Sequence, residues 1–294
     1  MMSEQGFIQK IKDQTKELRF SINVIFKNPL SIIGLTIITI LIFVAIFGPQ
    51  IAPYNPIEIN LDDKRQSPNM THFFGTDNYG RDILSRVLYG ASISVYIAIT
   101  AVGLSAIIGT SLGIISGYYG DKVDTIIMRI MDMMLAFPSL ILAMGIAAAL
   151  GIGVMGAIYA TGIVGIPGMA RLVRGQVLSI RENQYIEAAR ATGASDIQIM
   201  LNHVLPNVIS PIIVLTTLRL GGAILTAAAL GFIGLGVKPP TPEWGAMVSE
   251  GRNYLIVGDW WMATFPGLAI AVTVLGFNLF GDGLRDILDP RLRR

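Results

Sequence analysis

Long apolar runs without a charged residue alternate along this chain with shorter segments that hold nearly all of its Asp, Glu, Lys and Arg. A helix that crosses a membrane needs about 20 mostly apolar residues, so each uncharged run marks a candidate span. The run from Leu30 to Phe47 predicts a first span, and the stretch from about Ser92 to Ile115 predicts a second. Residues 220–237 and 260–281 predict two more spans near the other end of the chain.

The central uncharged run, residues 133–170, is too long for one helix at about 1.5 Å of rise per residue. Its natural break is the glycine-containing run from Leu150 to Val154, which predicts a tight hairpin between a third and a fourth span. The whole pattern therefore predicts an all-α membrane protein with six transmembrane helices. In the second span Gly109, Gly113 and Gly117 recur every four residues, a spacing that favours close helix packing.

Composition supports a membrane protein and excludes several other classes. Hydrophobic residues make up 52% of the 294 positions and charged residues 14%, with a mean hydropathy of +0.60, whereas soluble domains carry roughly 25% charged residues. The net charge of +2 is too small for a nucleic-acid binder. With no cysteine and only His72 and His203, far apart in the chain, we expect neither a metal site nor a catalytic site.

The distribution of Lys and Arg predicts the orientation in the membrane, because cytoplasmic loops carry the excess of positive charge. With the N-terminus inside, fifteen of these residues fall in inner segments and six in the outer segments 51–90 and 238–259. Both termini are therefore expected in the cytoplasm. The proline-containing 51–90 segment is expected to form an outward cap or an amphipathic piece.

The longest inner loop is predicted to hold two short helices around a glycine. Gln184 to Ala191 is rich in helix formers, and Gly193 can adopt the left-handed conformation that ends a helix. Ser195 and Gln198 have the spacing of a capping box for the second helix.

The second helix is predicted to be amphipathic and to stop at Pro206, just before the fifth span. Its apolar stripe comprises Ile197, Met200, Leu201, Val204 and Leu205. The polar residues of the pair are mixed in sign, which favours docking onto a protein over binding to lipid headgroups. They are Glu182, Glu187, Arg190, Asp196, Gln198 and Asn202.

Glu187-Ala188-Ala189, Gly193 and Leu205-Pro206 have the spacing of the EAA loop, and in this the chain resembles the permeases of ATP-binding-cassette importers. His203 stands where the general pattern has Ile, and the ending HVLPN is similar to the peptide-importer branch. Further segments resemble the C-type permease subunit of dipeptide and oligopeptide importers, so that the resemblance covers nearly the whole chain. They are 74–94, 129–143 and 229–251, together with the ending GDGLRDILDPRLR.

The resemblance implies the type I ABC importer permease fold and a division into five parts. These are a cytoplasmic N-terminal segment (1–29), a first transmembrane helix (30–50), an extracytoplasmic loop (51–90), a five-helix core (91–285) with the coupling loop 181–206, and a cytoplasmic tail (286–294).

For function, the resemblance implies a multi-pass subunit of the cell membrane that imports dipeptides or oligopeptides, with nickel or metal chelates and glutathione as alternative substrates. It implies contact with the ATPase through Glu187, Ala188, Ala189, Gly193, Leu205 and Pro206. The partners would be a second homologous permease, two ATP-binding subunits, an extracytoplasmic binding protein and lipid. The chain has no Gly-Lys dipeptide and hence no phosphate loop. ATP and Mg²⁺ are therefore expected on the partner ATPases, and we expect no cofactor in this chain.

Arg219 is the one charge well inside a predicted span, because the fifth span is expected to begin near Val208. It would either attract a substrate carboxylate along the transport path, or have a structural role through an ion pair or hydrogen bonds to another helix. Asp132 is expected to pair with Arg129, three residues earlier in the chain. An ion-coupled secondary transporter is the alternative from another class, and it would need acidic groups near the membrane midplane.

The remaining aromatic and histidine side chains have simpler expectations. We expect His203 at a polar interface and His72 in a solvated part of the outer loop. Trp244, Trp260 and Trp261 are expected to anchor the chain at the membrane surface.

Overall fold

The computed structural model describes residues 28–288, which are helical apart from connecting segments and one isolated bridge between Thr76 and Asp82. The predicted all-α class is therefore confirmed for this range. Of the predicted cytoplasmic N-terminal segment (1–29) the structure describes only residues 28 and 29, and of the predicted tail (286–294) only residues 286–288.

Ten α-helices follow one another along the described chain. They are α1 (Pro29–Ile51), α2 (Ile83–Tyr119), α3 (Asp121–Leu135), α4 (Ser139–Leu150), α5 (Val154–Ile180), α6 (Gln184–Ala191), α7 (Asp196–Ile199), α8 (Leu205–Ile233), α9 (Trp244–Gly251) and α10 (Trp261–Leu288). A π-helical turn, Met200–Val204, joins α7 to α8, and 3-10 turns lie at Leu61–Asp63 and Arg252–Val257.

Five helical stretches are long and apolar enough to cross a membrane, and a sixth span results if the bent pair α3 and α4 counts as one. This agrees with the six predicted spans. The predicted hairpin is also present, because α4 ends at Leu150 and α5 begins at Val154. Gly151 and Gly153 make the turn with φ of 100° and 143°, values that L-residues with side chains rarely adopt.

The third predicted span is bent. α3 and α4 meet at an angle of 94°, and the bend falls at Pro138, between the end of α3 and the start of α4. Proline has no backbone N–H to continue the helix and disfavours helical backbone in the residue before it. A map of charge-free runs cannot register this break, because Pro138 is itself uncharged.

α2 and α5 form the closest-packed pair in the bundle, as the glycine spacing predicted. A Cβ added at Gly109 would lie 2.6 Å from the Met169 Cβ, and one at Gly113 would lie 2.6 Å from the Ala170 carbonyl oxygen. A Cβ at Gly117 would lie 2.7 Å from the Val177 Cβ. The three glycines therefore allow the two backbones to approach each other directly.

The 51–90 segment folds as a cap and is fastened to α9 by buried ions. The Arg81 guanidinium donates to Asp77 (2.5 Å) and to the Glu250 carboxylate (2.9 Å), and the Arg86 guanidinium donates to the same Glu250 oxygen (3.1 Å). Both arginines are 3% exposed or less. Buried charges need such partners, because an unpaired ion away from water is strongly unfavourable.

Two expectations for this end of the bundle were wrong. His72 is buried, and its Nδ1 lies 2.9 Å from the Asp82 carboxylate, the side-chain cap of α2. Trp244 and Trp261 are also buried, and their indole N–H groups donate to the Val87 and Thr76 carbonyls. Trp260, in contrast, is half exposed, as expected for an anchor at the membrane surface.

Glu243 caps α9 from inside the protein. Its carboxylate accepts hydrogen bonds from the Gly245 and Ala246 amides, both at 2.9 Å. Burial raises the pKa of this carboxyl, and the two amide donors oppose the rise. The cap holds α9 beside α2, where the Ser94 hydroxyl lies 3.4 Å from the carboxylate.

Candidate coupling surface and translocation cavity

The helix pair α6–α7 protrudes from one end of the bundle and is turned at Gly193. There φ is 85°, the Gly193 amide donates to the Arg190 carbonyl, and the Ala194 amide donates to the Ala189 carbonyl. This is the Schellman pattern, in which a left-handed residue closes the end of a helix. The predicted role of Gly193 in the turn is confirmed.

The predicted capping box at the start of α7 is present. The Gln198 amide donates to the Ser195 hydroxyl (3.4 Å), and the Ser195 amide donates to the Gln198 side-chain oxygen (2.9 Å). The expected stop at Pro206, however, was wrong. Pro206 is the second residue of α8, directly after the π-turn, and the helical chain runs through it without a break.

The predicted apolar stripe of α7 was right for three of its residues and wrong for two. Val204 is fully buried and Met200 and Leu205 are half-buried, whereas Ile197 is 64% exposed and Leu201 is 56% exposed. The π-turn explains the difference, because it changes the angular spacing of side chains from the 3.6-residue period on which the stripe was based. Two large apolar side chains therefore remain on the exterior of the pair.

The six EAA-type residues lie on the exposed side of the pair or at its base. Glu187, Ala188, Gly193 and Pro206 are exposed, and Ala189 and Leu205 are half-buried. Beneath them Ile186 and Ile199 are fully buried in a cluster with Val177 of α5. The pair is thus seated firmly on the bundle while its motif residues face outward. His203 is half-buried, with its ring 6.5 Å from that of Tyr185.

Tyr118, at the end of α2, ties both helices of the pair to the bundle. Its hydroxyl donates to the Asp196 carboxylate of α7 (2.7 Å) and accepts from the Arg190 guanidinium of α6 (3.3 Å). The second hydrogen bond raises the pKa of Arg190. One tyrosine therefore holds the two helices on either side of the Gly193 turn. The sequence pattern did not identify it, because a tyrosine at a helix end resembles any interfacial aromatic.

A second polar network lies at the same end of the bundle. Asp132 pairs with Arg171 of α5, so the expected pairing with Arg129 was wrong. Asp124 of α3 accepts from Arg174 of α5 and from the Ser116 hydroxyl of α2. The partners come from different helices because α3 bends away from α4 and lies against α5, an arrangement that spacing within one helix cannot predict.

Arg219 is the middle residue of α8 and lines a cavity of about 380 Å³ among the spans. Its guanidinium donates to the Gly165 carbonyl of α5 at 2.8 Å. Its Nε is buried without an acceptor, and among residues 28–288 Arg219 makes no ion pair. Of the structural role considered from the sequence, the ion pair is therefore absent from the described part of the chain, whereas the hydrogen bond to another helix is present. The residues around the cavity are Ala101, Val102, Ser105, Ser139, Thr161, Val164, Gly165, Leu218, Gly222, Ala223 and Thr226.

These features define an integral membrane subunit of the permease class: an all-helical bundle of apolar spans with a protruding helix pair and a polar cavity between the helices. Residues 109–294 match the family model described as binding-protein-dependent transport system inner membrane component. Residues 22–68 match the N-terminal TM domain of oligopeptide transport permease C. The first match covers more than half of the chain, and the chain belongs to this family of ABC importer permeases, which are membrane components without enzymatic activity.

Curated relatives align over almost the whole chain. The chain is 49% identical to the dipeptide transport system permease protein DppC of Alkalihalophilus pseudofirmus, over 91% of this chain and 88% of that protein. It is 47% identical to the probable D,D-dipeptide transport system permease protein DdpC of Escherichia coli K12, over 90% and 88%. It is 48% identical to the glutathione transport system permease protein GsiD of Escherichia coli O6:K15:H31, over 87% and 84%.

The fold also matches a solved structure. A chain of the MetNI methionine ABC transporter in inward-facing conformations superposes with a TM-score of 0.56 at 21% identity. The superposition covers 68% of this chain and 95% of that one. This similarity confirms the expected type I ABC importer permease fold.

Proposed function

We propose that this chain is one of two permease subunits of an ATP-driven importer for dipeptides or oligopeptides. The observation that carries the proposal is the alignment with the dipeptide permease DppC over about nine-tenths of both chains. The similar identity to a glutathione permease keeps glutathione, itself a peptide-like molecule, as the second candidate substrate. Metal chelates are the third, expected from the resemblance of the sequence.

The pair α6–α7 is proposed to dock on a partner ATPase. Glu187, Ala188 and Gly193 are exposed, and Ile197 and Leu201 add apolar surface beside them. An amphipathic helix with exposed apolar anchors is a common way to fill a groove on another protein. Two such ATPase subunits would bind ATP and Mg²⁺, and their closure would move this pair together with that of a second, homologous permease.

Two substitutions test the docking. Glu187→Lys reverses a charge on the exposed face, and Gly193→Pro removes the φ of 85° on which the turn depends. In proteoliposomes that contain the whole complex, both variants should lose substrate uptake and the stimulation of ATP hydrolysis by the binding protein, yet insert normally. Lys122→Glu, which reverses an exposed charge outside both the 181–206 loop and the 51–90 segment, is the control and should retain both activities. Full uptake by the two loop variants would contradict the docking.

The proposed topology places both termini and the 181–206 loop in the cytoplasm and the 51–90 segment outside, where it would meet the substrate-binding protein. The excess of Lys and Arg in the proposed inner segments supports this orientation. Because the chain has no cysteine, single introduced cysteines report without background from it. Ser67→Cys should react with an impermeant maleimide from outside, and Thr192→Cys only from the cytoplasmic side. The reverse labelling would overturn the orientation.

The substrate class is tested by uptake into proteoliposomes with the cognate binding protein. We expect ATP-dependent uptake of radiolabelled L-Ala-L-Ala. Uptake of glutathione or of ⁶³Ni²⁺ chelate without uptake of dialanine or longer alanine peptides would replace the peptide assignment by one of the alternatives.

A further inference from the structure

The cavity beside Arg219 lies at the middle of three spans. Ala101, Arg219 and the region of Gly165 are each at or near the midpoint of their helices, α2, α8 and α5. The first residue of α4, Ser139, also lines the cavity, because the bend after α3 brings it there. A volume of about 380 Å³ is within the range of small-molecule sites, which begins near 300 Å³.

The guanidinium has no anionic partner within residues 28–288. Of its five N–H groups one donates to the Gly165 carbonyl, and the buried Nε has no acceptor. Within the same range, no carboxylate lines the cavity. The Thr161 hydroxyl, on the same wall of the cavity as Gly165, is also buried without a hydrogen-bond partner. Unsatisfied polar groups at membrane depth are costly, and an anion in the cavity would offset the positive charge of the guanidinium.

α5 leaves space for this side chain. A Cβ added at Gly168 would overlap the Arg219 guanidinium, and one at Gly165 would lie 3.4 Å from its Nη1. Two glycines on the facing helix thus fix the position of the positive charge. An alanine at Gly168 would displace the guanidinium without changing any charge, which provides a steric probe of its position.

We propose that this cavity is a carboxylate subsite of the transport path, in which Arg219 receives the C-terminal carboxylate of the peptide. The planar guanidinium can donate two parallel hydrogen bonds to a carboxylate. The cavity holds the end of a peptide, and the rest of the substrate extends past it. The inference rests on the proposed function, since it names the group by which the substrate is recognised.

The first experiment compares peptides with and without the carboxylate. The initial rate of uptake of L-Ala-L-Ala and of its C-terminal amide is measured in the reconstituted complex. The rate for each variant is divided by the wild-type rate for the same peptide. Arg219→Gln and Gly168→Ala should lower the ratio at least tenfold for the free acid and less than threefold for the amide. Arg219→Lys should fall between wild type and Arg219→Gln. Gly175→Ala, on the same helix where an added Cβ meets nothing within 4 Å, should behave as wild type.

The second experiment needs no substrate and no binding protein. In the complex carrying Ser139→Cys, an exposed position on the cavity wall, a sulfonate-bearing methanethiosulfonate should react faster than its trimethylammonium counterpart. Arg219→Gln in the same background should lower that rate ratio about tenfold, because a focused positive field raises the local concentration of anions.

The outcomes separate this inference from the proposed function. Unchanged uptake of the free acid in Arg219→Gln, equal loss for acid and amide, or a reagent ratio insensitive to Arg219 each overturns the carboxylate subsite. Loss of complex assembly in Arg219→Gln and Arg219→Lys also overturns it, since Arg219 would then pair with the partner permease. A wild-type complex that takes up neither peptide contradicts the proposed function, while the reagent ratio still decides whether the cavity attracts anions.

Discussion

The hydroxyl of Tyr118 is predicted to join the movement of α6–α7 to that of α2, and Tyr118→Phe removes this oxygen alone. The substitution deletes the 2.7 Å hydrogen bond to Asp196 and the 3.3 Å hydrogen bond from Arg190, and it leaves the ring in place. The aromatic packing of the mostly buried Tyr118 is therefore retained.

The expected magnitude follows from the surroundings of the two partners. A hydrogen bond to a charged group contributes about 1.5–3 kcal/mol when it is buried. Asp196 and Arg190 are exposed or half-exposed and regain water when the hydroxyl is lost, so we expect a net loss of about 1 kcal/mol. That corresponds to about a fivefold increase in the population of the pair detached from α2.

Two measurements test this increase: the rate of amide hydrogen exchange in the helix pair, and the number of substrate molecules transported for each ATP hydrolysed. Amides of residues 184–204 should exchange about fivefold faster in Tyr118→Phe, and fewer substrate molecules should be transported for each ATP hydrolysed, with complex assembly unchanged. Tyr119→Phe is the matched control, because the Tyr119 ring is 46% exposed and its hydroxyl makes no hydrogen bond within residues 28–288. Wild-type exchange in Tyr118→Phe, or the same change in Tyr119→Phe, would refute the reasoning.

Three further substitutions test the packing of the bundle by thermal unfolding of the complex in detergent. Gly113→Ala should destabilise it by about 1–3 kcal/mol, because the new Cβ meets backbone atoms of α5, whereas Gly103→Ala, with nothing within 4 Å, should be neutral. Glu250→Gln should lower the free energy of unfolding by about 2 kcal/mol, since it weakens the pairing of two buried guanidinium groups. An equal loss in Glu58→Gln would contradict this explanation. Trp244→Phe should cost about 1 kcal/mol through its lost N–H hydrogen bond, and unchanged stability would show that this bond contributes nothing.

The sequence predicts the features of this fold that depend on neighbouring residues. The spans follow from runs of apolar residues, the turn at Gly193 from a residue that tolerates positive φ, and the Ser195–Gln198 capping box from a spacing of three. The close packing at Gly113 can also be predicted, because a residue without a side chain allows a second helix to approach its backbone.

Features that depend on distant parts of the chain could not be predicted in this way. These contacts form only once the bundle is assembled. They are the Asp132–Arg171 pair, the burial of His72 against Asp82, the bonds of Tyr118 to Asp196 and Arg190, and the bond of Arg219 to the Gly165 carbonyl. The facing of Ile197 was wrong because a π-turn shifts the helical period, and no local pattern signals such a turn.

The unbroken helical stretch from α7 through the π-turn into α8 has a mechanical consequence. It spans 38 residues, Asp196–Ile233, and contains both the docking face and Arg219. Asp196 and Arg219 are separated along it by roughly 35 Å at 1.5 Å per residue. If the stretch pivots as a stiff lever, a tilt of about 10° displaces one of these positions relative to the other by roughly 6 Å. A movement of the helix pair would then reach the guanidinium as a displacement of several ångströms, because the helix between the two points carries it as one body.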